Sequence, residues 1–319
     1  MRPGRELVFD LNDFDEAGVG PWEWDVRRRL AASVHIGGRD LGLREDVCRD
    51  AVVGAVEAYR MVLRDFVTLS AVDRYFFRVD TSLVAQQLGS VGRRTVQRAT
   101  DKARTRTSDQ VLRKLTTRSE NGVLRIDDQP PVLRHVDHAT LDEMVQVFDQ
   151  YRTTLREDVA YLLAQFRPVD YALRVVGVGS VGTRCYLIAF EGPAGEMLFL
   201  QATSDPFLGW IIGWAGEVGD RPRVDYYWRQ FRDMKGSIDP STLTPAEFVA
   251  YGALCGALLA RARGQSPAGA AVAAYLGGSE RFALATASWA AAYADVAEAD
   301  YAALETAAVS GRIPVERGV

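Results

Sequence analysis

Two periodicities divide this chain, and its fold must satisfy both. From Leu43 to Phe66, and again from Thr140 to Phe166, apolar residues recur at three- and four-residue intervals, the spacing of one buried helical face. Between Val169 and Phe231 that spacing gives way to β-branched and aromatic runs, Tyr171–Val178, Arg184–Phe190, Met197–Gln201 and Val224–Phe231. Glu191-Gly-Pro-Ala-Gly-Glu196 is a turn between two of them. From Thr244 the alanine-rich remainder is helical again, with breaks at Gly264–Pro267 and Gly277-Gly278. Thr140-Leu-Asp-Glu143 and Thr244-Pro-Ala-Glu247 both have the spacing of a capping box, the second with proline at the first helical position. Another helix is expected to begin at Asp25, after the turn-rich Gly18, Gly20 and Pro21, and Val123–Ile126 reads as a short extended piece. The pattern predicts an α+β fold, a mostly helical body plus a small antiparallel β lobe. Its boundaries fall at 1–167, 168–238 and 239–319, with the outer two stretches forming one helical lobe.

Composition narrows the function classes. With 319 residues, 48% of them hydrophobic, the chain can bury a large core without staples. Cys48, Cys185 and Cys255 are widely spaced and odd in number, which suits neither a disulfide framework nor a zinc site and points to a reducing, cytoplasmic setting. Asp10 arrives too early for a signal-peptide core. The longest apolar stretches, Pro206–Gly216 and Tyr251–Ala260, fall short of the roughly 20 residues that span a bilayer, so no membrane is expected. A net charge of −4 removes any global attraction to nucleic acid. The arginine-rich stretch from Gly89 to Arg118 carries no interleaved aromatic residues for base stacking and reads as a solvated helical face.

Three constellations bear on chemistry. Gly177-Val-Gly179-Ser180-Val-Gly182 has G-x-G-x-x-G spacing, but the residues after it favour a strand, whereas a dinucleotide-binding fold requires a helix there. Strand, glycine loop, strand is the layout with which kinases cover ATP phosphates, and it is also the layout of a glycine-rich β-turn that holds nothing. Asp10-Leu-Asn-Asp13-Phe-Asp15-Glu16 packs four acids and an amide into seven residues. With Val8, Phe9, Leu11 and Phe14 between the acids, it reads as a buried strand presenting hard oxygen ligands to a cleft, where Asp13 and Asp15 are the Mg²⁺ candidates. Tyr226–Lys235 is an aromatic strand ending in charges, explained by core packing. His35, His135 and His138 have no ligand-like spacing and read as incidental.

Phe9–Glu16, Gly20–Asp25, Arg29–Ser33, Gly177–Thr183, Leu198–Gln201, Asp205–Trp210, Asp233–Lys235 and Leu259–Ala262 together resemble a bacterial family known as domain of unknown function 2252. That family is similar to the protein-kinase and aminoglycoside-phosphotransferase fold, so the resemblance implies two lobes, ATP and Mg²⁺. It would give Asp13 the metal role and Asp25 the role of anchoring a following helix, in an order circularly permuted relative to kinases. It also implies a Gly-Asp-x-His-x-x-Asn loop ahead of Phe9 and a Val-Lys-Glu-Ala segment after Gln201, and neither stands in this sequence. The family's Leu-Ala-Arg-Ala-His becomes Leu259-Ala-Arg-Ala-Arg263. The expected function is therefore that of a degenerate or truncated phosphotransferase with residual nucleotide and Mg²⁺ binding through Gly177, Gly179, Ser180, Gly182, Asp13 and Asp15 and with no assigned catalytic residue. The alternative is a non-catalytic interaction or regulatory protein that uses its helical surfaces.

Overall fold

The computed structural model of the protein describes residues 9–11, 19–79, 96–97, 100–101, 114–118, 122, 124–136, 140–175, 185–204, 226–230 and 238–315. The chain is mixed α+β, and its described residues form two compact units. One is drawn from Met1–Asn12, Val19–Asp101 and Ser237–Arg317, the other from Lys102–Gly236.

The first unit is helical. Helix α1 comprises Trp22–Trp24, a π-helical stretch Asp25–Ala32 and Ser33–Asp40, so it starts three residues before the expected Asp25. Helix α2, Glu45–Phe66, buries Cys48, Val52, Val56, Tyr59, Leu63 and Phe66, spaced by three or four residues, with Ala55 and Arg60 flanking the stripe. Ala71–Phe76 (α3) is a short helix whose cap, Ser70, accepts from the Asp73 amide. After Asp239-capped Pro240–Thr242 come α6, Pro245–Gly264, α7, Gly269–Leu276, and α8, Arg281–Val309, the two breaks falling at the glycine-containing turns. Val26, Leu30, Val56, Tyr59, Ala260 and Ala287 belong to one core cluster shared by α1, α2, α6 and α8. Arg39 at the end of α1 ties three helices, donating to Glu45 of α2 and to Asp295 and Glu298 of α8 at 2.7–3.2 Å.

The α2–α6 contact is made backbone to backbone. A Cβ on Gly252 would lie 3.2 Å from the Ala51 carbonyl oxygen, and one on Gly256 would overlap the Ala55 carbonyl, 2.9 Å from its carbon. Gly264 is closed off likewise by the Phe66 ring, 2.5 Å from an added Cβ. Because 252 meets 51, 256 meets 55 and 264 meets 66, the two helices run in the same direction.

The second unit is built on an antiparallel sheet. Its strands are β3, Leu133–Arg134, β4, Arg167–Arg174, β5, Cys185–Glu191, β6, Met197–Ser204, and β7, Tyr226–Gln230, in that spatial order. A separate hairpin pairs β1, Thr116–Arg118, with β2, Leu124–Ile126. Strand β5 is buried from Cys185 to Phe190 because both of its faces are covered. Tyr186, Ile188 and Phe190 pack with Val147, Phe148 and Tyr151 of helix α4, Leu141–Thr153. Leu187 and Ala189 pack on the other side with Leu124 and Ile126 of β2. A strand covered twice shows an unbroken apolar run in place of alternation.

The helix expected to run from Thr140 to Phe166 is two helices. It stops at Thr153 and resumes as α5, Glu157–Leu163. The hydroxyls of Thr153 and Thr154 donate to the Gln150 and Tyr151 carbonyls at 2.7 Å, and Arg156 is extended, so tandem threonines end the first helix. Strand β4 likewise starts at Arg167, ahead of the expected Tyr171. No helix among the described residues is long and apolar enough to cross a membrane.

Gly256→Ala sets a helix-propensity gain of about 1 kcal/mol against a Cβ driven into backbone, where overpacking costs about 1–3 kcal/mol or more. The second effect should win, lowering the urea midpoint. Gly54→Ala on α2 meets only Val249 at 3.9 Å and should raise it, so equal shifts of the same sign would show that close approach does not govern this helix pair.

Candidate functional site

The last turn of α6 carries Arg261 and Arg263, whose cations complement the carbonyl end of the helix. Each holds one carboxylate near the start of the chain, Asp10 or Asp25. Arg261, 8% exposed, donates from Nη1 to both Asp10 carboxylate oxygens at 2.7 Å and from Nη2 to the Phe77 carbonyl at 3.1 Å. Its Nε is buried and meets no acceptor among the described residues. Phe9 and Leu11, on either side of Asp10, pack into a cluster with Ile238, Leu254 and Leu258, and the Phe9 amide donates to the Val79 carbonyl at 2.7 Å. Residues 9–11 are thus anchored in the helical unit without forming a regular strand.

Arg263 Nη2 donates to Asp25 at 2.8 Å, and Arg29 stands 4.0 Å from the same carboxyl. Tyr59 lies beside Arg263, and burial pushes its phenol up to about 12. Asp25 opens the π-helical stretch, where the chain spacing widens and the Ser33 hydroxyl donates five residues back to the Arg28 carbonyl at 3.3 Å. π-Helical turns concentrate at functional sites because the extra residue redirects side chains.

The sequence-derived candidates Asp13 and Asp15, and Gly177, Gly179, Ser180 and Gly182, lie outside the described residues. Their flanks do not. Asp13 follows the anchored Asp10 by three residues, and the glycines fall between β4 and β5, adjacent antiparallel strands whose register ends at Leu173↔Tyr186. Cys185–Glu191 is a strand, so no helix follows the glycines there. Of the three lysines, Lys114 is exposed just before β1, and Lys102 and Lys235 lie outside the described residues. Among the described residues, no group of three or more His, Cys, Asp or Glu side chains could hold a metal.

The chain matches the profile of a family described as "uncharacterized protein conserved in bacteria (DUF2252)" over residues 1–201 and 196–307. It belongs to that family. The two matched stretches meet at 196–201. No curated protein and no solved structure matches the chain. Arg263 supplies the cation that holds Asp25.

Two histidine environments escaped the sequence reading. His35, fully buried, meets Glu45 at 2.8 Å. His135 lies between Asp128 and Asp170. Residues 128, 135 and 170 share no sequence motif, and only the pairing of strands brings them together.

Removing one partner of a part-buried ion pair leaves the other desolvated, which costs several kcal/mol when burial is complete. The Asp10 side chain is 36% exposed, so Arg261→Met and Asp10→Asn should each cost about 1–2 kcal/mol in urea unfolding. The double variant should cost less than their sum; strict additivity would show that the pair does not couple.

Proposed function

We propose that this protein is a nucleotide- and Mg²⁺-binding relative of phosphotransferases whose catalysis is weak or lost, with the two lobes of a kinase-like fold. Gly177, Gly179, Ser180 and Gly182 would offer backbone amides to ATP phosphates, and Asp13 and Asp15 would hold the metal. The observation that carries this reading is the antiparallel pairing of β4 and β5 on either side of the glycines. That layout suits a phosphate-covering loop and is foreign to a strand–helix dinucleotide turn. The Arg261–Asp10 anchor supports it, because a carboxylate pair that binds a cation needs a fixed backbone on its approach. Phosphoryl transfer rests on positioning and charge neutralisation, and weak catalysis is expected where Gln201 runs on to Asp205 with no lysine between them to pair with phosphate. Three widely spaced cysteines, odd in number, accord with a cytoplasmic setting.

A second reading, an interaction or regulatory protein, is favoured by the exposed apolar residues of α3 and its surroundings, where Val72, Tyr75 and Phe76 are 65%, 65% and 68% exposed.

Titration calorimetry with ATP separates the two. The first reading expects weak, Mg²⁺-dependent heat that disappears in Asp13→Asn and in Gly179→Val. Equal heats in all three proteins would leave the interaction reading standing. With radiolabelled ATP, no appreciable transfer to small molecules or to the protein is expected, and robust turnover abolished by Lys235→Ala would overturn the loss of catalysis.

A further inference from the structure

The imidazole of His135 is gripped from both sides by groups that only accept. Its Nδ1 lies 2.9 Å from Asp128 Oδ1, and its Nε2 lies 3.1 and 3.2 Å from the two Asp170 oxygens. Both carboxylates are oriented by backbone donors. The His135 amide donates to Asp128 at 2.7 Å, while the Ile126 and Tyr171 amides donate to Asp170 at 2.6 and 2.9 Å. The ring thus joins the turn between β2 and β3 to β4, at the place where Asp170 also ties down β2.

We propose that His135 is a pH-operated latch that holds the 127–136 turn against β4, closed while the ring carries two protons and released when it carries one. An imidazolium donates at both nitrogens, so it satisfies both carboxylates. A neutral ring keeps one proton and turns a lone pair toward a carboxylate oxygen about 3 Å away, a repulsive arrangement whichever nitrogen is left bare. The side chain is 23% exposed, enough to exchange its proton with solvent. The latch adds to other restraints on the turn: the two-residue β3–β4 pairing, the Val175 amide on the Val132 carbonyl at 2.8 Å, the Tyr171 hydroxyl on the Val136 carbonyl at 3.0 Å, the Gln129 side chain on the Lys114 carbonyl at 3.2 Å, the Asp127 amide on the Leu115 carbonyl at 2.8 Å and the burial of Leu133.

Other charged groups stand on the surrounding elements. Asp127 is taken by the Thr117 hydroxyl at 2.8 Å, Arg125 of β2 acts on Asp128, and Arg134 and Arg174 sit on the paired ends of β3 and β4. Burial of the ring opposes its charge, but the hydrogen bonds it donates to Asp170 and then Asp128 outweigh burial and hold its titration above the ordinary histidine value. A raised folded-state value means that the latch contributes fully below the unfolded value of about 6.5 and is lost as pH rises through the folded one.

Nuclear magnetic resonance tests this on the intact chain, with the ring signal assigned by its absence in His135→Gln. The ring should titrate above about 6.5, and the protection of the Leu133, His135 and Val175 amides, corrected for intrinsic exchange, should fall across that titration. Each unit by which the ring exceeds the unfolded value predicts about a tenfold loss of protection. The Ile188 amide at the sheet centre should be unaffected. Asp170→Asn should lower the ring's titration point and flatten the effect. Should that variant fail to fold, Asp128→Asn, at a half-exposed position, should do the same in smaller measure. A ring that titrates at or below the ordinary value, or turn amides whose protection ignores the titration, would refute the latch.

Discussion

Helices α2 and α6 meet where the Ala55 carbonyl occupies the space that a side chain at Gly256 would need, and the helical unit is arranged around that contact. Gly252 and Gly256 lie against the Ala51 and Ala55 carbonyls and Gly264 against the Phe66 ring, which fixes the register of α6 along α2. That register delivers the last turn of α6 to Tyr59 and to the segments carrying Asp10 and Asp25. A guanidinium taken out of water needs charged or carbonyl partners, and Arg261 and Arg263 find theirs in Asp10, the Phe77 carbonyl and Asp25. A slip of one helical turn, about 5.4 Å, would carry both arginines beyond hydrogen-bond reach of those groups. The anchoring of the acidic motif is therefore a consequence of glycine placement some five to ten residues earlier on α6.

The sheet unit solves a different problem. Its central strand has no polar face, so it needs cover on both sides, and α4 and the β1–β2 hairpin supply it. Covering a sheet with a hairpin brings backbone amides of β2 over β4, where the Ile126 N–H would be buried beside an apolar surface. Asp170 meets that donor and is itself balanced by His135. The half-buried carboxylate and histidine are thus products of how the sheet is roofed.

Local signals were legible where the interaction that creates them is local. Both capping boxes form as spaced, with Thr140 and Thr244 accepting from the Glu143 and Glu247 amides, because each joins groups three residues apart. The break at Thr153–Thr154 was hidden for a related reason. The apolar stripe continues across it to Leu155 and Leu162, and the stripe records which face is buried, not whether the backbone stays helical between its marks. The start at Trp22 was hidden because Pro21 sits at the cap and no Ser, Thr or Asp announces the first turn. The likeness to the bacterial family was also legible, since scattered short motifs survive in linear order across the chain.

The sequence by itself determined the class of the fold, the order of helical and β-rich stretches, the two capped helix starts and the family, because each of these is written in spacing along the chain. Only the tertiary structure decided that Arg261 and Arg263 hold Asp10 and Asp25, residues more than 230 positions away, and that His135 lies between Asp128 and Asp170. A buried charge takes whichever partner the packing of backbones brings within about 3 Å. That choice is set by the Gly256–Ala55 approach in one unit and by the roofing of β5 in the other, and neither distance is encoded in the separation of the residues it joins.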